Sequence, residues 1–438
     1  MSESRPNFLE EDIAKYGRRV RMIKDNPDPK RPMSNMLYYE LVLEERLEEL
    51  SAWQKGENFV YFMGARPEIF KAMGFHLIWL DVLGDRMAGR QNRYFEIARN
   101  AGYTERSICD RLQQSLGLVL SGDLPPPAFI FVENCICDAI THTMLAIAHY
   151  CKAPFYAFDR YQEPGYDPIP YLLKQIEELI EVCERKVAGA KFNERKLLEI
   201  QKRESDAQEH IRRVWDAAKS VPCPITGREA FRIPELHLAS RKGGVEYFKA
   251  YADEIEDRVR KRVSVVGQEK ARVMWCVTGP FYADGFAPLE KRGISVPVVL
   301  TDTSRITCGL GPGKIDWLTN GKKLSPMEQE AELMTMNSWM APAEKWVRDI
   351  IDNARDFSID GIVYFLQTGC PTTLTSQRIV VDRVEKELGI PVLVMEGWML
   401  DEEKFDRIVF EERLNEFADI VLGQKEEQEK NPKALHKN

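Results

Sequence analysis

The sequence has no apolar run approaching the roughly 18 to 20 residues that a helix needs to cross a bilayer. Its start, MSESRPNFLEEDIAKYG, also lacks the apolar segment of a secretory signal. A membrane span and an export signal are therefore not expected, and a cytoplasmic protein is. A basic block is missing too: the 61 Lys and Arg are interleaved with 69 Asp and Glu, for a formal net charge of -8, which argues against a nucleic-acid partner. There is no C-x-x-C pair of the zinc-ribbon or thioredoxin kind. The six histidines form no H-E-x-x-H or H-x-x-E-H group, and His142 and His149 read as packing or solvent-facing residues of one helix. The Gly-rich CGLGPGK at 308–314 lacks the G-x-x-x-x-G-K-[ST] spacing of a phosphate loop and reads as a flexible loop.

What is present is an ordinary globular composition, 44% hydrophobic and 30% charged over 438 residues. That length exceeds what one core usually organises, so more than one domain is expected. Nine cysteines, an odd number in a chain without a signal segment, read as thiols and not as a disulfide framework. Each is then either a buried apolar residue or a ligand, and position must decide which.

Residues 1–56 show apolar residues at helical spacing among many charges and predict a helical N-terminal arm. Short β-rich runs separated by helical stretches follow: FVYFMG at 59–64, FHLIWLDV at 75–82, AFIFVEN at 128–134 and PFYAFD at 154–159. Such alternation predicts a parallel sheet flanked by helices, here a first α/β domain over 57–168 that contains Cys109 and Cys137. Residues 169–268 read as a charged helical insert. The strand-helix rhythm resumes with RVMWCVTG at 272–279, VPVVLTDT at 296–303, GIVYFLQTG at 361–369 and PVLVMEG at 391–397, giving a second α/β domain over 269–438 with Cys370. The fold expected is α/β, with two doubly wound, Rossmann- or flavodoxin-like parallel-sheet domains.

The halves echo each other. AFIFVENCICDAITHTMLAIAHYCKAPFYAFD and GIVYFLQTGCPTTLTSQRIVVDRVEKELGIPVLVMEG both run strand, cysteine, helix, proline, strand. A cysteine directly after a strand sits at the carboxyl end of a parallel sheet, where open α/β folds bind ligands. There it precedes a helix whose N-terminal dipole favours a thiolate. Cys137 and Cys370 are therefore ligand candidates, and Cys109, in TERSICDRLQQSLG, belongs to the first turns of another helix. Cysteines so far apart form no local knuckle, so a shared metal would be assembled by folding. Thiolates select zinc or iron–sulfur centres, and three of them on a four-iron cube leave one iron open.

These segments resemble the family of the 2-hydroxyacyl-CoA dehydratases and ATP-dependent benzoyl-CoA reductases, over roughly residues 57 to 420. The resemblance rests on GYTERSICDRLQQSLG, ENCICD with its following helix and PFYAFD, EKARVMWCVTGPFY, and QTGCPTTLTSQRIVVDRVEKELGIPVLVMEGWMLDEEKFD. It implies a 4Fe-4S cluster on three cysteines, and Cys109, Cys137 and Cys370 match those positions. Cys135 is the alternative to Cys137, while Cys151, Cys183, Cys223, Cys276 and Cys308 match no ligand position. It further implies an acyl-CoA substrate, a homologous cluster-bearing subunit and a separate ATP-hydrolysing iron–sulfur activator. Many dehydratase subunits carry consecutive serines where this chain has Met63, Gly64 and Ala65. With the MEGWMLDEEKFD ending, that likens the chain to the larger cluster subunit of benzoyl-CoA reductase, a dearomatising reductase. A dehydratase subunit and a non-catalytic electron relay are the other readings.

Overall fold

A computed structural model describes residues 6–26, 33–64, 68–87, 92–104, 108–134, 137–159, 167–232, 238–301, 324–335 and 343–430. The chain divides into two compact units, Met1–Ile211 with Glu235–Glu254 and Gly313–Met336, and Arg212–Pro234 with Ile255–Pro312 and Asn337–Asn438.

In the first unit, β1 (Phe59–Met63), β2 (His76–Trp79), β3 (Pro127–Glu133) and β4 (Phe155–Phe158) form a parallel four-stranded sheet in the order β2-β1-β3-β4. Successive side chains of a strand point to opposite faces. Accordingly Phe59, Tyr61, Met63, Ile130 and Val132 join one buried cluster, which takes in Leu112 and Leu116 of the helix Asp110–Ser121 and Met144 and Ile147 of the helix Asp138–Cys151. Val60, Phe62, Phe129 and Phe131 join a second cluster, with Ile69, Phe70 and Leu172, Ile176 and Leu179 of the helix Ile169–Lys186. Burial on both faces explains why these strands read as unbroken apolar runs and not as alternating ones. The N-terminal arm is a pair of packed helices, Phe8–Asp25 and Met33–Lys55, and Phe8 and Leu9 enter the first cluster.

The second unit repeats the scheme with β5 (Ala271–Cys276), β6 (Ile294–Leu300), β7 (Gly361–Gln367) and β8 (Val392–Gly397), parallel and in the order β6-β5-β7-β8. β5, β6 and β7 are buried along their whole length. Arg272 on β5 is buried but fully engaged: it donates to Glu269 at 2.6 Å, to the carbonyls of Lys219 and Phe357 at 3.1 and 3.2 Å, and to that of Ser220. A buried guanidinium is tolerable only with such satisfaction, and here it fastens the segment around residue 220 to the sheet. Between β4 and β5 the described chain is helical, with Ile169–Lys186, Glu194–Ala218, Gly227–Arg232 and Gly244–Arg260.

Each sheet has the same switch point. The first strand is followed by a neighbour on one side and the third strand lies on its other side, so the chain diverges between β1 and β3, and again between β5 and β7. Crevices outside the carboxyl ends of strands at such points are where open α/β sheets bind ligands.

Candidate functional site

Cys137 follows β3 and Cys370 follows β7, at the same step of the two sheets. Each is the N-cap of the next helix, Cys137 of Asp138–Cys151 and Cys370 of Pro371–Leu388, with extended backbone and no side-chain capping bond. Cys109 is likewise the extended, uncapping N-cap of Asp110–Ser121. The cysteine carbonyls accept the first helical N–H groups, from Gln113, Ile140 and Leu374 at 3.0, 3.2 and 3.1 Å. Cysteine is not among the favoured N-cap residues, which are Ser, Thr, Asp and Asn. The chain uses those elsewhere: Asn7 with Glu10 and Ser325 with Glu328 form complete capping boxes. Cysteine at these three helix starts is therefore not explained by helix stability, while the helix-start N–H groups favour an anion there.

Cys109 also stands at the carboxyl edge of the first sheet. Six residues further along its helix, Ser115 donates to the carbonyl of Leu80, just past the end of β2, at 3.1 Å. Arg111 pairs with Asp81 at 3.9 Å, both side chains nearly buried. The helices Asp110–Ser121 and Asp138–Cys151 pack together, and Cys109 and Cys137 pack against the same apolar cluster. Gly117 sets how closely the first of these helices sits, since a Cβ there would fall 1.8 Å from the Tyr94 carbonyl oxygen.

At the first switch point Gly64 has φ +151, a conformation open to glycine, and a Cβ on it would lie 3.0 Å from Cγ and Cδ of the buried Glu133 at the end of β3. At the second, Cys370 is fixed from below. The buried Tyr364 hydroxyl lies 3.0 Å from Ser376 Oγ and donates to the Thr373 carbonyl at 3.3 Å, and burial pushes its pKa up to about 12.

The cysteines without a ligand match look different. Cys183, Cys223 and Cys276 are free thiols with no exposed surface. Burial pushes Cys183 and Cys223 up to about 12, and Cys276 higher still. Cys151 ends the helix that Cys137 begins and is also raised by burial. Cys135, Cys308 and the CGLGPGK stretch lie outside the described residues. His142 and His149 fall on the helix Asp138–Cys151 as expected.

Cys109 and Cys137 thus belong to the first unit and Cys370 to the second. Among the described residues, no group of three or more His, Cys, Asp and Glu is arranged to hold a metal ion. The donor chemistry nevertheless fits an iron–sulfur cluster: three soft sulfur donors, each at a helix start that favours negative charge. The Asp81–Arg111 pair and the Gly64–Glu133 contact went unseen in the sequence. The closeness of Arg111 to Cys109 was the one available hint.

Residues 63–421 match the family described as 2-hydroxyglutaryl-CoA dehydratase, D-component, and the chain belongs to it. Its similar proteins include the (R)-phenyllactyl-CoA dehydratase alpha subunit of Clostridium sporogenes, 22% identical and aligned over 86% of this chain and 93% of the relative. The alpha subunit of lactoyl-CoA dehydratase from Anaerotignum propionicum is 22% identical over 69% of this chain and 71% of the relative. A benzoyl-CoA reductase subunit from Thauera aromatica is 21% identical over 74% and 78%. No helix among the described residues is long and apolar enough to cross a membrane.

Proposed function

We propose that this chain is the iron–sulfur subunit of an ATP-driven, low-potential enzyme acting on an acyl-CoA thioester, of the dearomatising benzoyl-CoA reductase type, with Cys109, Cys137 and Cys370 as ligands of a 4Fe-4S cluster. The observation that carries it is the threefold use of cysteine, a residue with no capping merit, at the starts of three helices. Bound there, the cluster would supply single electrons at potentials down to about -700 mV and, held by three thiolates, would keep one iron open to a substrate oxygen. The protein's own part is to hold the three sulfurs at helix N-termini, whose N–H groups offset their negative charge. Arg111, fixed by Asp81, adds a cation two residues from Cys109. The chain carries no nucleotide motif for ATP hydrolysis, so electrons would be driven uphill on a separate iron–sulfur activator, and a homologous cluster-bearing subunit would complete the enzyme.

The reductase reading is favoured by Met63 and Gly64, which stand where dehydratase serines are expected. Gly64 has a backbone that a serine would strain. A radical dehydratase subunit is the second reading, favoured by the 93% coverage of the phenyllactyl-CoA dehydratase alpha subunit. The test is iron and acid-labile sulfide content, with EPR after reduction, on protein purified without oxygen and then assayed with activator, ATP, benzoyl-CoA and a 2-hydroxyacyl-CoA. About four irons per chain with benzoyl-CoA-dependent ATP turnover is the expected result. Turnover with the hydroxyacyl thioester alone would make it a dehydratase, a cluster without either turnover an electron relay, and absence of iron would end the proposal.

A further inference from the structure

A cavity of about 470 Å³ lies within the first unit, on the sheet edge opposite Cys109 and Cys137. Phe75, His76 and Leu77 line it where β2 begins, and His76 pairs with Phe59 at the amino ends of the strands. The helix Met33–Lys55, the start of the helix Glu194–Ala218 and the turn at residues 240–242 form its other walls.

The lining cations, Lys71, Lys196, Arg203, Arg241 and Lys242, outnumber the lining glutamates. Those glutamates are largely engaged. Arg46, behind the wall, takes Glu45 at 2.8 Å and also Glu49, and Arg241 takes Glu48 at 2.9 Å. Glu44 is left on the exposed rim. Lys71 donates to a neutral acceptor, Ser240 Oγ, at 2.6 Å, and Arg203 donates through Nε to the Ser240 carbonyl at 2.9 Å. Burial pushes the Lys71 ammonium below its ordinary pKa even though Glu68, Glu204 and Glu45 pull the other way. An anion arriving in the cavity would give the Lys71 ammonium a charged partner where its hydrogen bond now goes to the neutral Ser240. Phe75, Leu77 and Ile200 add an apolar wall.

We propose that this cavity binds a phosphate-bearing, nucleotide-sized ligand, its phosphate oxygens on Lys71, Arg203 and Lys242 and its apolar part on Phe75, Leu77 and Ile200. Several converging cations suit a multiply charged phosphate better than a carboxylate, and a planar guanidinium suits phosphate oxygens in particular. The volume falls within the roughly 300 to 1,000 Å³ of small-molecule sites and is too large for an inorganic ion alone. A free adenine nucleotide and the nucleotide end of coenzyme A share this chemistry.

Equilibrium dialysis of the full-length protein against ADP, coenzyme A and inorganic pyrophosphate separates the sources. Saturable binding of ADP, or of coenzyme A alone, is expected. It should be weakened about tenfold or more in Lys71→Met and severalfold in the double variant Lys196→Ala, Lys242→Ala, and it should fall as salt rises. The double variant alters two exposed side chains and so keeps the test valid should Lys71→Met fail to fold. No saturable binding, unchanged affinity in both variants, or pyrophosphate binding as tightly as ADP would overturn the proposal. Iron content plays no part in the readout, so its failure and that of the iron–sulfur reading are separable.

Discussion

The two sheets share one strand order but are furnished differently at their carboxyl edges. In the first unit both helices that flank the third strand in sequence begin at a cysteine, Cys109 before β3 and Cys137 after it. In the second unit only the helix after β7 does, at Cys370; the helix before it, Ala343–Asp356, follows the residues Met340, Ala341 and Pro342. The switch points differ as well. A Cβ on Gly64 would meet the Glu133 carboxyl group, whereas one on Gly279, at φ +107, would meet Met399 and Phe365 at 3.1 Å. One scaffold thus offers equivalent positions twice. The first edge is furnished with two sulfurs, a buried carboxylate and the Asp81–Arg111 pair, the second with one sulfur, neutral hydroxyls and the apolar Met399 and Phe365. Charged groups gather at the first edge, whereas the groups beside the second edge's single sulfur are the neutral hydroxyls of Tyr364, Thr373 and Ser376.

The sharpest way to break this comparison is to remove the sulfurs one at a time. Cys109→Ala, Cys137→Ala and Cys370→Ala should each lose the cluster and all activity, judged by iron content and EPR, whereas Cys183→Ala should keep its iron. If Cys135→Ala loses iron and Cys137→Ala does not, the first unit's second donor is the other member of that pair. Retention of full iron in Cys370→Ala would mean that the second unit contributes no donor. Next in size is Gly117→Ala. Its Cβ would fall 1.8 Å from the backbone oxygen of Tyr94, so the helix Asp110–Ser121 must move away from Arg93–Asn100. Overpacking against backbone should cost about 3 kcal/mol in urea denaturation and lower iron content through Cys109. A variant of native stability would show that this helix is not clamped.

Much of this contrast was legible beforehand, because parallel strands buried on both faces announce themselves as short apolar runs. FVYFM and GIVYFLQ are strands over nearly the span their composition predicts, and a cysteine following a strand has only one place to go. FHLIWLDV ran too long as a strand. β2 ends at Trp79, and Leu80 and Leu83, three residues apart and both buried, already belong to the helix Leu80–Met87. The charged furniture of the first edge was not legible. Asp81 meets Arg111, and Gly64 meets Glu133, across dozens of residues, and no local periodicity marks a charge whose partner arrives only on folding. The cavity opposite is invisible for the same reason, its walls coming from four separate segments.

The switch-point glycines permit a finer comparison. Gly64→Ala and Gly279→Ala both force a side chain onto a positive-φ backbone that L residues rarely adopt, at a cost of about 1 to 3 kcal/mol. The surroundings separate them. Alanine at 64 presses on the Glu133 carboxyl group and should alter turnover as well as stability, whereas alanine at 279 presses on apolar side chains and should act on stability alone. Equal activity in the two variants, normalised to folded protein, would remove the functional distinction drawn between the edges.

The smallest expected effect concerns the buried thiols that match no ligand position. Cys183 lies in the first unit, and Cys223 and Cys276 in the second. Burial holds all three protonated well above the ordinary thiol pKa of about 8.5, with Cys183 and Cys223 raised to about 12. Above pH 9 the unfolded chain has released these protons while the folded chain retains them, so the folded state binds more protons and stability falls as pH rises. Each such thiol should steepen the decline by about 1.4 kcal/mol per pH unit. Between pH 9 and 10 the raised Cys151 adds to this decline and the lowered Lys71 opposes it, while the buried tyrosines Tyr61 and Tyr364 act mainly at higher pH. The difference between a single-thiol variant and the parent therefore isolates that thiol's share. Urea denaturation under reducing conditions at pH 9 and 10 should show a shallower decline in Cys223→Ala than in the parent. The same slope in both would mean that Cys223 ionises inside the folded second unit, and the contrast between sulfurs packed for burial and sulfurs held at helix starts would lose its thermodynamic support.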